Sequence, residues 1–398
     1  MIEKFQMKRL MIIMLVVMSG LPMAAQLNGT GYYRIRNVAN ETHYIAFAND
    51  KFDYTTVISL ACGGLSQAYS SAGQARAMAC AGIYLKTDIH LVEDDGCVNP
   101  ATVIYLKKKS GSQYDLIGQS TSLIELTTGE YPGTFRLRFE DVFATLTRRV
   151  NSGANSQYTA SVQLKASNNA LANLGTRYFV DDDGYFGISE DYDDTNAKWY
   201  LEQVTSFNVD SASMVEYKGK YYCTMYTPFA YTLSGQTQKA WVITGINADG
   251  TLAKEEIATT GGTVPAGTPV ILECGSNSPS ACTLQPQGEP RIDAETAYTG
   301  INLLKGAYFC NTDGNLTYNR PSGTGTIAAN NYTAYNASAM LVLGVSQSPA
   351  GVNRLGFFPY TGDKMKSNKV WLDISGSSAN ANYTFDTDEP NQKGVINE

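Results

Sequence analysis

The chain has 398 residues, of which 17% are charged, and a formal net charge of −7 at pH 7. This acidic balance disfavours nucleic acid and anionic membranes as partners, because both require a basic face. Tyrosine (26), phenylalanine (14) and glycine (36) are frequent, a composition typical of strands and turns rather than of surface helices. The sequence therefore predicts an all-β protein, and its length favours two or three domains.

The first 26 residues have the layout of a secretory signal. A basic start precedes an apolar run from Leu10 to Val17, and the small residues Ala24 and Ala25 stand before Gln26. The apolar run is shorter than the roughly 20 residues that cross a bilayer, and no later stretch approaches that length. We expect residues 1–26 to be removed on export, no integral membrane span, and a mature protein in the periplasm, on the cell surface or in the medium.

Short strands dominate the first half, residues 27–205. Gly31 to Asn37 alternates with the period of a β-strand, and His43 to Phe47 follows after a polar turn. Further strands are predicted at Thr102 to Leu106, Tyr114 to Gly118, Phe135 to Phe139, Ala160 to Leu164, Tyr178 to Val180 and Lys198 to Glu202. The series predicts a domain built of short paired strands.

Two motifs mark the ends of this half. It opens with Tyr-Tyr-Arg-Ile-Arg-Asn at residues 32–37, followed by His-Tyr-Ile, and it closes with Lys-Trp-Tyr-Leu-Glu at residues 198–202. These motifs resemble the ricin-B-type β-trefoil of exported proteins from Gram-negative anaerobes. Such a fold repeats a four-strand unit three times, and starts near Tyr32, Val103 and Val162 fit three unequal units. Ala197 stands where lectins of this type carry glutamine.

The resemblance implies a sugar site in the third unit. A lectin site needs a carboxylate for vicinal hydroxyls, an aromatic face for the sugar ring and a nearby amide. Residues 178–184 resemble the segment that supplies the carboxylate, so Asp181 takes that role, with Tyr185 or Phe186 as the platform and Asn196 as the amide. A trefoil that has kept its shape and lost its sugar is the equal alternative.

The pattern of residues 214–375 predicts paired strands. Asp249-Gly250 between two alternating runs is a strong hairpin signal, because the turn needs positive φ. Val264-Pro-Ala-Gly-Thr-Pro-Val-Ile-Leu272 is predicted to lead through a turn into a buried strand, and Asn368-Lys-Val-Trp-Leu-Asp373 to form the last strand. The two segments resemble a β-sandwich module found towards the C-terminus of exported proteins from the same bacteria. That resemblance implies that the strands of residues 214–375 form an antiparallel β-sandwich, with a role in presentation or assembly.

Two polar segments are predicted to lie outside these domains. Residues 206–213 are predicted to be a linker between two separate strand-built bodies, and residues 376–398 a flexible tail. Asp210-Ser211-Ala212 resembles the short acceptor sequence for O-glycosylation in these bacteria. Ser211 is therefore a glycosylation candidate.

None of the seven cysteines has the Cys-x-x-Cys spacing of a zinc or redox site. In an oxidising compartment, Cys274 and Cys282 are candidates for a disulfide that closes one loop, and Cys223 with Cys310 is a second possible pair. The other cysteines are expected to be small buried apolar residues.

Catalytic motifs are absent from the sequence. The two histidines, His43 and His90, lie in no metal or nucleophile motif, and the usual hydrolase, zinc-peptidase and nucleotide patterns do not occur. We therefore predict that the protein is not an enzyme and carries no cofactor.

The acidic stretch from Asp181 to Asp194 leaves two alternatives open. A pair of its acids would suit a glycosidase. Aligned with a calcium-binding loop, Asp181, Asp183 and Glu190 take ligand positions, but Phe179 falls on the first position and cannot bind the ion. An exposed hairpin turn is the preferred interpretation, with no metal site.

The whole sequence predicts a secreted protein that binds carbohydrate or another surface ligand without catalysis. The expected partner is a glycan, as polysaccharide or glycoprotein. The main alternative is a structural or adhesin component that binds a cell-surface protein through strand edges. A glycoside hydrolase or its accessory protein ranks third.

Overall fold

A computed structural model describes residues 27, 29–47, 89–93, 98, 100–117, 125–126, 137–138, 143–150, 156–166, 175–182, 185–189, 191, 193–209, 213–278, 280–291, 296–306, 315–320, 323–328, 335–347, 353–362, 365, 368–375 and 383–384. The predicted signal and Ser211 lie outside the described residues. Within them the chain forms strands and no α-helix, which confirms the all-β prediction. No described helix has the length and apolar character to cross a membrane.

Twelve strands of the first half form one sheet. They are β1 (Gly31–Asn37), β2 (His43–Phe47), β3 (Ile89–Glu93), β4 (Ile104–Ser110), β5 (Gln113–Ile117), β6 (Glu125–Leu126), β7 (Leu137–Arg138), β8 (Phe143–Val150), β9 (Gln157–Ala166), β10 (Gly175–Asp182), β11 (Tyr185–Ser189) and β12 (Trp199–Gln203).

Six of these strands pair in a closed ring. β1 pairs with β4, β4 with β5, β5 with β8, β8 with β9, β9 with β12, and β12 returns to β1, all antiparallel. The other six form the hairpins β2–β3, β6–β7 and β10–β11. Each third of the half thus contributes a ring strand, a hairpin and a second ring strand. The described strands of the first half therefore follow a threefold order around the ring.

Alternate side chains of β1 face the inside of the ring. Tyr33 and Ile35 are fully buried, and they lie opposite Ile104 and Leu201. Because successive residues of a strand face opposite sides, Tyr32 points away from this interior. Only 7% of Tyr32 is exposed, so another part of the chain covers the outer face of β1.

The described residues of the second half form sixteen further strands. They are β13 (Phe207–Asn208), β14 (Val215–Tyr217), β15 (Lys220–Met225), β16 (Ala230–Gly235), β17 (Thr237–Ile246), β18 (Leu252–Thr259), β19 (Thr263–Val264), β20 (Val270–Cys274), β21 (Cys282–Gln287), β22 (Leu304–Gly306), β23 (Asn315–Arg320), β24 (Gly323–Ala328), β25 (Met340–Gln347), β26 (Asn353–Phe358), β27 (Val370–Asp373) and β28 (Tyr383–Thr384).

These strands form three larger sheets and the hairpin β23–β24. The inner sheet has the order β13-β21-β16-β19, the middle sheet β14-β15-β20-β17-β18, and the outer sheet β22-β27-β25-β26-β28. The turn between β17 and β18 is the predicted Asp-Gly hairpin, with Gly250 at φ 83°. The second half is therefore antiparallel as predicted, with one sheet more than a simple sandwich.

Two apolar cores flank the middle sheet. The junction core comprises Tyr32, Val103, Phe207, Val209, Cys223, Met225, Phe229, Tyr231, Leu233, Ala240, Val242, Ala258, Val264, Val270, Leu272, Cys274, Cys282 and Leu284, and the outer core comprises Tyr217, Tyr222, Trp241, Ile243, Leu252, Ile271, Leu304, Leu341, Leu355, Phe357, Val370, Leu372, Ile374 and Tyr383. Strand β20 is buried along its whole length and alternates between the cores, with Leu272 in one and Ile271 in the other. The middle sheet is therefore covered on both faces.

The junction core contains residues of both halves. The Tyr32 ring lies 5.3 Å from that of Phe229, and the Tyr32 hydroxyl donates to the carbonyl of Gly288 at 2.8 Å. At the surface, Lys107 pairs with Glu289 at 2.9 Å. The expectation of two separate bodies does not hold at this contact, because the outward aromatic face of β1 is buried against the second half.

Apolar residues also correct the predicted linker and tail. Phe207 and Val209 are buried in the junction core, and β13 pairs with β21. Tyr383 is 3% exposed in the outer core, and β28 pairs with β26. Single apolar residues within polar segments therefore anchor both segments at these positions.

Candidate functional site

The predicted carboxylate of the sugar site is buried. Asp181, on β10, is 4% exposed, and its Oδ2 lies 2.6 Å from Nδ1 of His43 at the start of β2. The prediction required a carboxylate open to sugar hydroxyls. The structure instead pairs it with a histidine 138 residues away in sequence, so Asp181 joins the first and third hairpins of the ring.

The two predicted aromatic platforms lie on β11, whose backbone alone is described. Residue 181 is opposite residue 186, and residue 182 is opposite residue 185. Directly opposed residues of an antiparallel pair share a face, and neighbours along a strand do not. Positions 181 and 185 are therefore on opposite faces of the hairpin.

A chain of hydrogen bonds connects Asp181 to the backbone of Asn196, the residue predicted to supply the amide. The Nδ2 atom of Asn40 donates to Nε2 of His43 at 3.1 Å, and the backbone N–H of Asn40 donates to Oδ1 of Asn37 at 2.9 Å. Nδ2 of Asn37 donates in turn to the carbonyl of Asn196 at 2.8 Å. The structure thus brings Asp181 and Asn196 into one network, with Asp181 at its buried end and Asn196 at its exposed end.

The exposed end of the network contains exposed polar residues. Asn196 lies in the short 3-10 turn Thr195–Ala197, where Oδ1 of Asp194 accepts the backbone N–H of Asn196 at 2.9 Å. Asp193, three residues before Asn196, is exposed. An amide and a carboxylate are therefore presented together on one short ordered segment.

The turn at residues 38–42, here called the polar turn, is also held by the side chain of Arg36. Arg36 binds Glu41 at 2.5 Å and Glu202 at 2.6 Å, and its guanidinium carbon lies 4.6 Å from the centre of the Tyr200 ring. Burial alone would lower the pKa of Arg36, but its hydrogen bonds to these carboxylates raise it. The polar turn is therefore fixed before any ligand arrives, which favours binding.

Sequence reasoning predicted the polar turn but not the contacts that hold it in place. Asn37 and Asn40 tie it together, and Thr42 donates from Oγ1 to Oδ1 of Asn40 at 3.0 Å. Two asparagines three residues apart after a strand are a recognised turn signal. That signal gives the turn but not its long-range partners, Asp181 and Asn196.

The remaining predicted sites involve cysteine and metal. Cys274 and Cys282, predicted as a disulfide, are free thiols buried in the junction core with Cys223. The thiol of Cys282 donates to the carbonyl of Ser276 at 3.0 Å. Among the described residues no three His, Cys, Asp or Glu side chains gather as metal ligands. Asp183 and Glu190 of the calcium alternative lie outside those residues.

Comparison with known proteins gives one structural similarity. No protein-family model matches the sequence, and no curated protein matches it. A solved chain described as "Structure and mode of action of a mosquitocidal holotoxin" has 10% sequence identity and a TM-score of 0.25, over 89% of this chain and 51% of that chain. The chain thus spans about half the length of the toxin chain, and a similarity this low assigns neither fold nor function.

Proposed function

We propose that this chain is an exported, non-catalytic protein that binds a glycan at the polar turn of a ricin-type β-trefoil. The observation that supports it most is the hydrogen-bond chain from the buried Asp181 to the exposed Asn196. Sugar hydroxyls bind best to amides and carboxylates whose orientation is fixed beforehand. In this proposal Asp181 positions the site, and Asp193 is the exposed carboxylate that accepts sugar hydroxyls.

The fold of the first half supports the ricin-type assignment. Its ring and hairpins follow a threefold order, and Trp199 of the closing motif is fully buried, with Nε1 donating to the carbonyl of Phe179 at 3.0 Å. The signal-like N-terminus supports export, and the missing motifs of hydrolases, zinc peptidases and nucleotide enzymes support a binding role.

A glycan array with the full mature chain, residues 27–398, tests this function. We expect binding to a subset of glycans and about tenfold weaker binding for Asn196→Ala, because each tenfold change corresponds to about 1.4 kcal/mol, the size of one or two hydrogen bonds. The matched control is Asn353→Ala, which removes an exposed amide from β26 in the second half and should bind like the unmodified chain.

Two outcomes of the array would contradict the proposal. One is no binding above background by the unmodified chain. The other is equal loss of binding by Asn196→Ala and Asn353→Ala. Glycan-independent attachment to a cell-surface protein would favour the adhesin alternative instead.

A further inference from the structure

A separate cleft of about 580 Å³ lies in the second half. This volume is within the range of about 300–1,000 Å³ that is usual for small-molecule sites. Its lining comes from the end of β15, the turn before β20, the turn at residues 296–300, and the strands β22 and β27. None of these segments belongs to the polar turn, so the cleft is independent of the proposed first-half site.

Aromatic side chains form the walls of this cleft. On β27, Val370 and Leu372 enter the outer core, and the alternation of the strand leaves Trp371 half-buried on the opposite face. Tyr226 and Tyr298 are half-buried and also line the cleft. Aromatic faces of this kind pack against the apolar C–H face of a sugar ring.

A glycine allows one aromatic wall to approach closely. A Cβ atom added to Gly306 would lie 2.4 Å from ring atoms of Tyr226. Residue 306 on β22 therefore has no room for a side chain while Tyr226 keeps its position. The absence of a side chain at this position gives the Tyr226 ring its place in the cleft.

A buried hydroxyl without a protein partner also lines the cleft. Thr268 is 2% exposed, and among the described residues its Oγ1 atom has no hydrogen-bond partner. Leaving a buried hydroxyl unpaired destabilises a folded protein. The turn that holds it is fixed, because Nδ2 of Asn302 donates to the carbonyl of Pro269 at 2.9 Å. Thr268 is thus held in place with its hydrogen-bonding capacity unused within that part of the chain.

A carboxylate completes the polar groups of the cleft. Partial burial alone would raise the pKa of Asp373, but hydrogen bonds from Ser375 and the positive charge of Lys305 outweigh burial and lower it. Lys305 lies opposite Trp371 in the sheet. Asp373 is therefore ionised at neutral pH and accepts hydrogen bonds beside the aromatic wall.

We propose that this cleft binds a short neutral saccharide, with Trp371 stacking on a sugar ring, Asp373 accepting hydrogen bonds from vicinal hydroxyls, and Thr268 bonding the deepest oxygen. An apolar ligand would bury Asp373 and Thr268 without partners. Lys305 and Asp373 both line the cleft, so their opposite charges balance and do not favour a charged ligand. A neutral polyhydroxylated ring satisfies both polar groups and covers the aromatic wall.

Tryptophan fluorescence of the full mature chain measures this binding directly. The chain has three tryptophans; Trp199 and Trp241 are 0% and 7% exposed, and Trp371 is the one that lines the cleft. Titration with maltotriose, cellotriose, lactose and diacetylchitobiose should give a saturable change with at least one of them. Trp371→Phe should abolish the change. No saturable change with any of the four would overturn the proposal.

Thr268→Val separates a binding role from a structural one. The substitution keeps the shape of the side chain and removes the unpaired hydroxyl, so thermal stability should be unchanged or higher while saccharide affinity falls about tenfold. The control Thr232→Val, on β16 and outside the cleft, should leave affinity unchanged. Higher stability with unchanged affinity would overturn the role of Thr268. Asn196→Ala should not affect this titration, so failure of the first-half site and failure of the cleft are distinguishable.

Discussion

Replacement of Asp181 by alanine is expected to lower the free energy of unfolding by about 1–3 kcal/mol, the usual cost of leaving a buried hydrogen-bonding group without its partner. Asp181 is 4% exposed and His43 is 8% exposed, and the two side chains are 2.6 Å apart. Alanine would leave the histidine buried without its carboxylate and would release the contact between the first and third hairpins. Urea unfolding of the full mature chain, followed by circular dichroism, measures the change.

A double-mutant cycle with His43→Phe separates the energy of the Asp181–His43 contact from the effect of each substitution alone. We expect the double variant to be more stable than Asp181→Ala alone, because it removes the histidine that the single substitution leaves buried without its carboxylate. Asp181→Asn, which keeps a hydrogen-bond acceptor, should lose less stability than Asp181→Ala. If Asp181→Ala retained full stability and lost glycan binding, Asp181 would be a direct sugar ligand, as the sequence predicted, rather than a positioning residue.

Replacement of Trp199 by alanine is expected to cost about 3–5 kcal/mol, the range observed for large aromatic residues removed from a core. Trp199 is fully buried on β12, the strand that pairs with both β1 and β9 and so closes the ring. The substitution would leave a cavity and would remove the donor to the carbonyl of Phe179. Thermal unfolding monitored by far-ultraviolet circular dichroism gives the stability of the variant.

Trp199→Phe provides the graded control for this position. It keeps most of the apolar volume and loses the indole N–H, so its cost should be smaller and should come largely from the unpaired carbonyl. A Trp199→Ala variant within about 0.5 kcal/mol of the unmodified chain, the range of ordinary surface substitutions, would show that ring closure does not depend on this residue.

Local patterns predicted most of the described strands of the first half and one hairpin of the second. The alternation of Gly31–Asn37 and His43–Phe47 gave β1 and β2 with the observed bounds, and Asp249-Gly250 gave the hairpin between β17 and β18. These features depend on neighbouring residues alone, because a two-residue period and a turn with positive φ are properties of a short segment.

The stacking of the sheets was not predictable in the same way. Tyr32 alternates like any half-buried strand residue, and its burial depends on Phe229, nearly 200 positions further along. The outer face of β1 and both faces of the middle sheet are covered by distant segments. The apolar run that ends at Leu272 predicted a buried strand but did not identify the segments that cover it. Phe207 and Tyr383 were assigned to a linker and a tail for the same reason.

The candidate sites also combine features that the local sequence predicts with features that depend on distant segments. Asn196 lies at the surface as a ligand amide should, but burial of Asp181 depends on the approach of His43 from another hairpin. In the second half, Thr268 and Trp371 are about a hundred residues apart and meet only when the outer sheet is formed. The spacing of residues within a sequence motif does not predict which distant segments come together in the fold.

Hydrogen exchange of the full mature chain, with and without the glycan that ranks highest on the array, tests the central claim most directly. Bound glycan should slow backbone exchange in residues 38–42 and 193–197, because these segments carry the polar turn and Asn196. The same protection should be missing in Asn196→Ala. Protection confined to other segments, or no change on adding the glycan, would contradict glycan binding at the polar turn.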